Sequence, residues 1–140
     1  MYKRQVIRAL EVSIQSKKPY SSFLGKKHPS KYNHVSIALN DERTNIHNLI
    51  NDRVDLMLKN GLLNEAEQLH KYSHLNTLNT VGYKELFNYL DGKVSKVDAV
   101  EHIKRNTRRF AKKQITWLNN NGKHHWFNPN DSFDDIKGVL

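Results

Sequence analysis

Apolar residues recur at helical spacing through most of this chain and alternate only in two short stretches. Over 2–17, Val6, Leu10 and Ile14 share one face with Ile7 beside them, which predicts a helix from which Arg4 and Arg8 project elsewhere. Residues 18–32 hold two prolines, a glycine and several lysines and read as a loop. His34 to Leu39 alternates and predicts a short strand. Asn40-Asp41 then offers a cap for a helix over 42–60 with the stripe Ile46, Leu49, Ile50, Val54, Met57, stopped by Gly61. A further helix is expected over 62–72, carrying Leu62, Leu63, Ala66 and Leu69, and 73–81 reads as irregular. A short helix follows Gly82 and ends at Asp91-Gly92. Ser95 and Asp98 resemble a capping box opening the longest helix, 96–119, which the Asn119–Gly122 stretch stops. His125-Trp126-Phe127 is a second strand candidate, and Asp131 a cap for a last helix near 132–138.

The expected fold is therefore mainly α with two short strands. Two isolated strands do not make an independent sheet, so they are expected to belong to a larger one. The first helix begins at the first residue without a preceding cap, which suggests a piece of a longer α/β protein.

Composition sharpens this reading. The chain has 140 residues, enough for one compact domain and too few for two. It has no cysteine, which excludes disulfides and thiolate metal sites and is consistent with a reducing cytoplasm. No apolar run approaches a membrane span. With 23 Lys+Arg against 14 Asp+Glu the formal net charge is +9, an excess that favours polyanions.

The charge is clustered. On the longest helix Val100, Ile103, Thr107, Phe110, Ala111, Gln114, Trp117 and Leu118 share one arc, while Lys104, Arg105, Arg108, Arg109, Lys112 and Lys113 occupy the other half. Six cations without an intervening acid repel one another, a cost that phosphate binding removes. Arg53 borders the apolar stripe of its helix. From the residues alone, pairing with Asp52, Asp55 or Glu85 is favoured over a ligand diphosphate. Arg4 and Arg8 read first as surface ion pairing with Glu11. Residues 79–85 place a glycine at a helix start between Thr80 and Tyr83. That arrangement fits either backbone N–H groups offered to an anion with Tyr83 stacking on a base, or an ordinary junction with a packed tyrosine. His70 and His74 have ligand spacing without a third ligand and read as exposed histidines, and no metal ligand set is assigned. There is no GxxxxGK[ST] loop, no GxSxG elbow and no evident carboxylate pair.

Four segments together resemble the tRNA dimethylallyltransferase (isopentenyltransferase) family: RQVIRALEV at 4–12, ERTNIHNLINDRVDLMLKNGLLNEAEQL at 42–69, TVGYKELFNYLDG at 80–92 and TRRFAKKQITWL at 107–118. The resemblance spans nearly the whole chain and implies the C-terminal portion of a P-loop-type α/β transferase. In it, residues 1–32 end a helical tRNA-gripping insertion and its connecting loop, and 33–140 belong to the catalytic core. It implies transfer of a dimethylallyl group from its diphosphate to N6 of the adenosine beside the anticodon, in the cytoplasm, by a monomer whose partners are the tRNA anticodon stem–loop and dimethylallyl diphosphate. Magnesium, the nucleotide-binding P-loop and the general-base aspartate are expected upstream of Met1, so no catalytic residue is assigned here and the fragment is expected to be inactive alone. Carried over residue by residue, Arg53 is implied to bind the diphosphate. Arg4, Gln5, Val6, Ile7 and Arg8, and then Asn79, Thr80, Val81, Gly82, Tyr83 and Lys84, are implied to contact tRNA. Arg108, Lys112, Lys113 and Gln114 are assigned to phosphate contacts. Gln5 and Leu49 depart from the family, which commonly has arginine at both positions. Two other readings stay open: a free-standing helical RNA-binding module, and a protein-interaction domain whose basic face meets an acidic partner.

Overall fold

The computed structural model describes residues 3–25 and 31–139, and divides into two compact units, Met1–His34 and Val35–Leu140. The expected helix start at Tyr2 and the middle of the expected loop, 26–30, lie outside the described residues.

In the first unit α1 spans Lys3–Ser16 and a 3-10 turn, Tyr20–Phe23, sits within the stretch read as loop. Lys17, at φ 55, leaves the helical region and ends α1. The Ser16 hydroxyl donates to Val12 O at 2.6 Å, and Ser13 Oγ accepts from the Tyr20 backbone N–H at 3.0 Å, folding the turn back onto the helix end. The face read as apolar, Val6, Ile7, Leu10 and Ile14, is exposed.

The second unit holds β1 (Ile37–Leu39), α2 (Arg43–Lys59), α3 (Leu62–Leu69), α4 (Tyr83–Leu90), α5 (Lys96–Asn120), β2 (His125–Phe127) and α6 (Phe133–Lys137). The described residues therefore carry six α-helices and two strands, as the periodicity predicts. Val54 of α2, Leu62 and Ala66 of α3, Leu86 and Phe87 of α4 and Ile103 of α5 form the core. Ala66 and Ala99 are fully buried, where a small side chain lets helix backbones approach. Each large core side chain contributes about 1.5–3 kcal/mol by leaving water.

The two strands pair with each other, parallel, in the register Ile37↔His125, Ala38↔Trp126, Leu39↔Phe127. The ladder extends through His125 N to Ser36 O (2.8 Å) and Asn40 N to Phe127 O (2.9 Å). Only Ile37–Leu39 of the predicted 34–39 strand is paired, because β2 offers three residues. His124 fixes β2 to the end of α5. A carbonyl can only accept, so Nε2 carries the proton given to Leu118 O (3.1 Å), and Nδ1 accepts from the Ser36 hydroxyl (2.7 Å).

Several local expectations are corrected. Glu42, not Asn40-Asp41, caps α2, and the Asp41 carboxylate instead takes the Glu42 N–H at 2.7 Å. Residues 70–72 tighten into a 3-10 turn after α3 ends at Leu69, and a second such turn, Asn76–Leu78, lies in the segment read as irregular. Ser95 Oγ accepts from Asp98 N at 3.1 Å, but the Asp98 carboxylate accepts from the Ser95 hydroxyl (2.6 Å) and not from its backbone N–H, so the reciprocal half of a capping box is not made there. The full box belongs to Ser132 and Asp135, which displaces Asp131 as cap of α6. Asp131 accepts from Asn128 N at 2.6 Å. On α5 the predicted arc is buried only in its first half. Phe110 (58 % exposed), Gln114 and Trp117 (61 %) face outward, and Ala111, Ile115 and Leu118 carry the covered side there.

Candidate phosphate and nucleic-acid surface

Helices α2 and α5 are clamped by two polar pairs one turn apart on each helix. Arg108 donates to Asn51 Oδ1 at 2.7 Å, and Lys104 Nζ lies 2.7 Å from Asp55 Oδ1. The remaining cations of α5 stay without a carboxylate partner among the described residues. Arg109 makes a long 3.4 Å contact to Asn106 Oδ1, and Arg105, Lys112 and Lys113 are exposed.

Arg53 is exposed on α2 between Leu49 (63 % exposed) and Leu56 (55 %), four residues after one and three before the other. It makes no hydrogen bond or ion pair with another described residue. The carboxylates that could have neutralised it are engaged or turned outward: Asp55 pairs with Lys104, Glu85 is buried against α5, and Asp52 is exposed. The pairing favoured from the residues alone is therefore not formed.

The Gly82 turn is built by Glu85, a 5 % exposed carboxylate in the first turn of α4. Its Oε2 accepts from the Gly82 N–H at 2.8 Å and its Oε1 from Asn106 Nδ2 of α5 at 2.8 Å. Gly82 itself sits at φ 108, a conformation glycine adopts without the Cβ penalty. The Gly82 N–H is thus committed to the Glu85 carboxylate, which matches the second of the two alternatives left open by the sequence, an ordinary junction. Tyr83 also has protein partners. Its hydroxyl donates to Glu65 Oε1 at 2.6 Å, and its ring stacks on Phe87 with centroids 6.1 Å apart. The Glu65 bond, with burial and the nearby negative charge, raises the phenol's pKa above its ordinary value. Asn79, Thr80, Val81 and Lys84 remain exposed. Asn79 and Lys84 line an open recess of about 410 Å³ with Asn76, Asn88 and Lys93.

His70 Nε2 meets Asp91 Oδ1 at 2.8 Å and its ring packs near Phe87, while His74 faces the same recess as Asn79. Among the described residues no three His, Asp or Glu side chains converge as metal ligands.

On α1, in the other unit, Arg4, Gln5, Val6, Ile7 and Arg8 are all exposed, and Arg8 meets Glu11 at 3.3 Å, the pairing read from the sequence. At exposures of 70 % and 56 % that pair is worth little and leaves Arg8 free to exchange partners.

A larger groove, about 560 Å³, runs between the start of α2 and the second half of α5. Arg108 and Lys112, read from the sequence as phosphate contacts, line it with Arg43, His47, Arg105 and Arg109, while Lys113 lines a neighbouring recess with Trp117. Arg43, on the wall of this groove, was not among the residues singled out from the sequence. The available signal was its position at the start of α2, directly after a strand-to-helix junction.

Fold and surface together define a mainly helical chain with a cation-rich face. Nearly all of the chain, 97 %, superposes on the tRNA delta(2)-isopentenylpyrophosphate transferase of Staphylococcus epidermidis, with a TM-score of 0.71 and 33 % identity, and covers 47 % of it. The full-length tRNA isopentenylpyrophosphate transferase of Bacillus halodurans matches with a TM-score of 0.69 and 32 % identity, over 96 % of this chain and 50 % of that one. The chain belongs to the IPP transferase family, which matches residues 2–121. It is 46 % identical to the tRNA dimethylallyltransferase of Christiangramia forsetii over 100 % of this chain and 48 % of the relative, and 46 % identical to that of Flavobacterium johnsoniae over 95 % and 43 %. It thus spans about half the length of the curated relatives it matches.

Proposed function

We propose that this chain contributes the tRNA- and diphosphate-binding part of a cytoplasmic, monomeric tRNA dimethylallyltransferase. The observation that carries the reading is the match of almost the whole chain to a solved tRNA isopentenylpyrophosphate transferase at a TM-score of 0.71. In the reaction the carbon–oxygen bond of dimethylallyl diphosphate breaks and a bond forms to N6 of the adenosine beside the anticodon. The N6 proton leaves to a base, and the diphosphate departs with its charge.

This chain's residues serve binding and positioning. Arg53, exposed and without an internal carboxylate, is suited to the oxygens of the departing diphosphate, where a fixed guanidinium stabilises developing negative charge. Arg4 to Arg8, the exposed residues of Asn79–Lys84, and Lys112, Lys113 and Gln114 supply exposed side chains for an RNA loop and its backbone. Gly82 and Tyr83 act through shape, since the N–H of one and the ring of the other are already engaged. Magnesium accompanies the diphosphate in the family, and the described residues form no ligand set for it.

An assay with an anticodon stem–loop and labelled dimethylallyl diphosphate tests the reading. The chain is expected to bind the stem–loop and to transfer no label on its own. Absence of stem–loop binding overturns the RNA role, and label transfer overturns the assignment of the base outside this chain.

A further inference from the structure

We propose that Glu85 and Asn106 are positioning residues for RNA binding: the hydrogen bond between them locks the Gly82 turn to one edge of α5, so that turn and edge meet RNA as a single preset surface. The inference rests on the RNA role proposed above and names the device that sets its geometry.

Glu85 is 5 % exposed, and no cation pairs with it among the described residues. A buried carboxylate is costly unless donors fill its lone pairs. Both oxygens are filled here by neutral groups, Oε2 by the Gly82 N–H and Oε1 by Asn106 Nδ2, each at 2.8 Å. Adhesion of α4 to α5 does not require this pair, because Leu86 and Phe87 share the core with Ile103. Apolar side chains tolerate small slides and rotations of one helix on another. A buried polar bond is satisfied in one geometry and fixes the register.

Both ends of the bond lead to exposed groups. On the α4 side, Asn79, Thr80, Val81 and Lys84 flank the turn, and the Lys84 ammonium makes no hydrogen bond or ion pair with another described residue. On α5, Asn106, Arg109 and Lys113 follow one another at spacings of three and four residues and so share a face, with Lys113 about 10 Å beyond Asn106 by helix rise. A carboxylate only accepts, so Asn106 must turn Nδ2 to Glu85, which leaves its Oδ1 toward Arg109 in the long 3.4 Å contact. Arg109 and Lys113 then line the recess beside Trp117. One amide thus holds the turn at the head of a cationic edge. Phosphate contacts set the register of a bound strand, and contacts placed in advance spare the cost of ordering them on binding.

The test is a double-mutant cycle on the affinity of the full chain for an anticodon stem–loop. Asn106→Ala and Lys84→Gln are each expected to weaken binding by about threefold to tenfold. Together they should fall short of the product of the two losses by about threefold or more, because Asn106 acts through the turn that carries Lys84. Arg4→Gln, in the other unit, should combine with Asn106→Ala as a simple product. Partial unfolding in Asn106→Ala would scale the affinity of every variant by the same factor and so cannot create that contrast. Glu85→Ala should lose as much as Asn106→Ala. Glu85→Gln should stay within about twofold of the native chain, since its amide oxygen keeps the Gly82 N–H and its amide nitrogen donates to Asn106 once that amide flips. A simple product for Asn106→Ala with Lys84→Gln, or equal losses in Glu85→Gln and Glu85→Ala, would overturn the proposal while leaving the RNA role intact. A native chain that fails to bind the stem–loop would overturn the RNA role and this inference with it.

Discussion

Lys104 of α5 reaches Asp55 of α2 at 2.7 Å, and this pairing removes the carboxylate two residues from Arg53. Glu85, another carboxylate that could have served, is held by Gly82 and Asn106. Arg53 is left exposed on a stripe of exposed leucines. An arginine so placed contributes little to folding, which is the basis for giving it a ligand.

Arg53→Gln is accordingly expected to change unfolding free energy by less than about 0.5 kcal/mol, as for surface positions without a partner. The same variant should lose binding of dimethylallyl diphosphate. Denaturant unfolding beside a calorimetric titration checks both halves. A loss of stability on the scale of a broken buried pair would show that Arg53 is structural.

Glu85→Ala should behave in the opposite way. It leaves the Gly82 N–H and the Asn106 amide without their acceptor, and the cost is about 1–3 kcal/mol by denaturant unfolding. Hydrogen exchange at Gly82 should quicken more than exchange in the middle of α5. Leu86→Ala, at a fully buried site, should cost about 2–5 kcal/mol without favouring the Gly82 amide.

Tyr83 gives a pH signature. Its folded pKa is raised, so the Glu65 bond stabilises the fold below the ordinary tyrosine value near 10 and is lost as pH rises through the folded value. Ultraviolet titration should show a late Tyr83 phenol, absent in Tyr83→Phe and shifted back in Glu65→Gln. A normal Tyr83 titration would contradict the observed bond.

Asp91 gives the acid counterpart. Lys93 first, and then His70, hold its pKa below the ordinary carboxylate value. The contribution is present above the unfolded value and disappears as pH falls through the folded one. Asp91→Asn should therefore lower stability in the neutral region, leave the acid end nearly unchanged, and so flatten the acid limb of the profile.

Much of this was legible in the chain because helices announce themselves locally. The Ile103 period, the Gly61 stop and the start of α4 at Gly82 are short-range signals, and each stands where the pattern put it. The losses share one cause, that tertiary partners decide between adjacent local options. Ser132 outcompeted Asp131 for the cap because Asn128 claimed the Asp131 carboxylate. Phe110 and Trp117 follow the apolar period of α5 faithfully, yet periodicity cannot say how far along a helix its covering neighbour extends. The groove between α2 and α5 was beyond reach for the same reason, since Arg43 and Arg105 line one cleft only when the two helices pack. In the site, the cation run and the Arg53 position were visible, whereas the commitment of the Gly82 N–H to Glu85 and of the Tyr83 ring to Phe87 required the fold.

The account rests on cations left uncommitted so that they can meet RNA phosphate. The direct measurement is the affinity of this chain for an anticodon stem–loop across a series of salt concentrations, for the native sequence and for Lys112→Gln with Lys113→Gln. Binding should weaken steeply with salt, and the double variant should lower the logarithmic slope by roughly 1.4–1.8, the release of counterions from two phosphate contacts. A slope near zero, or one that the double variant leaves unaltered, would contradict it.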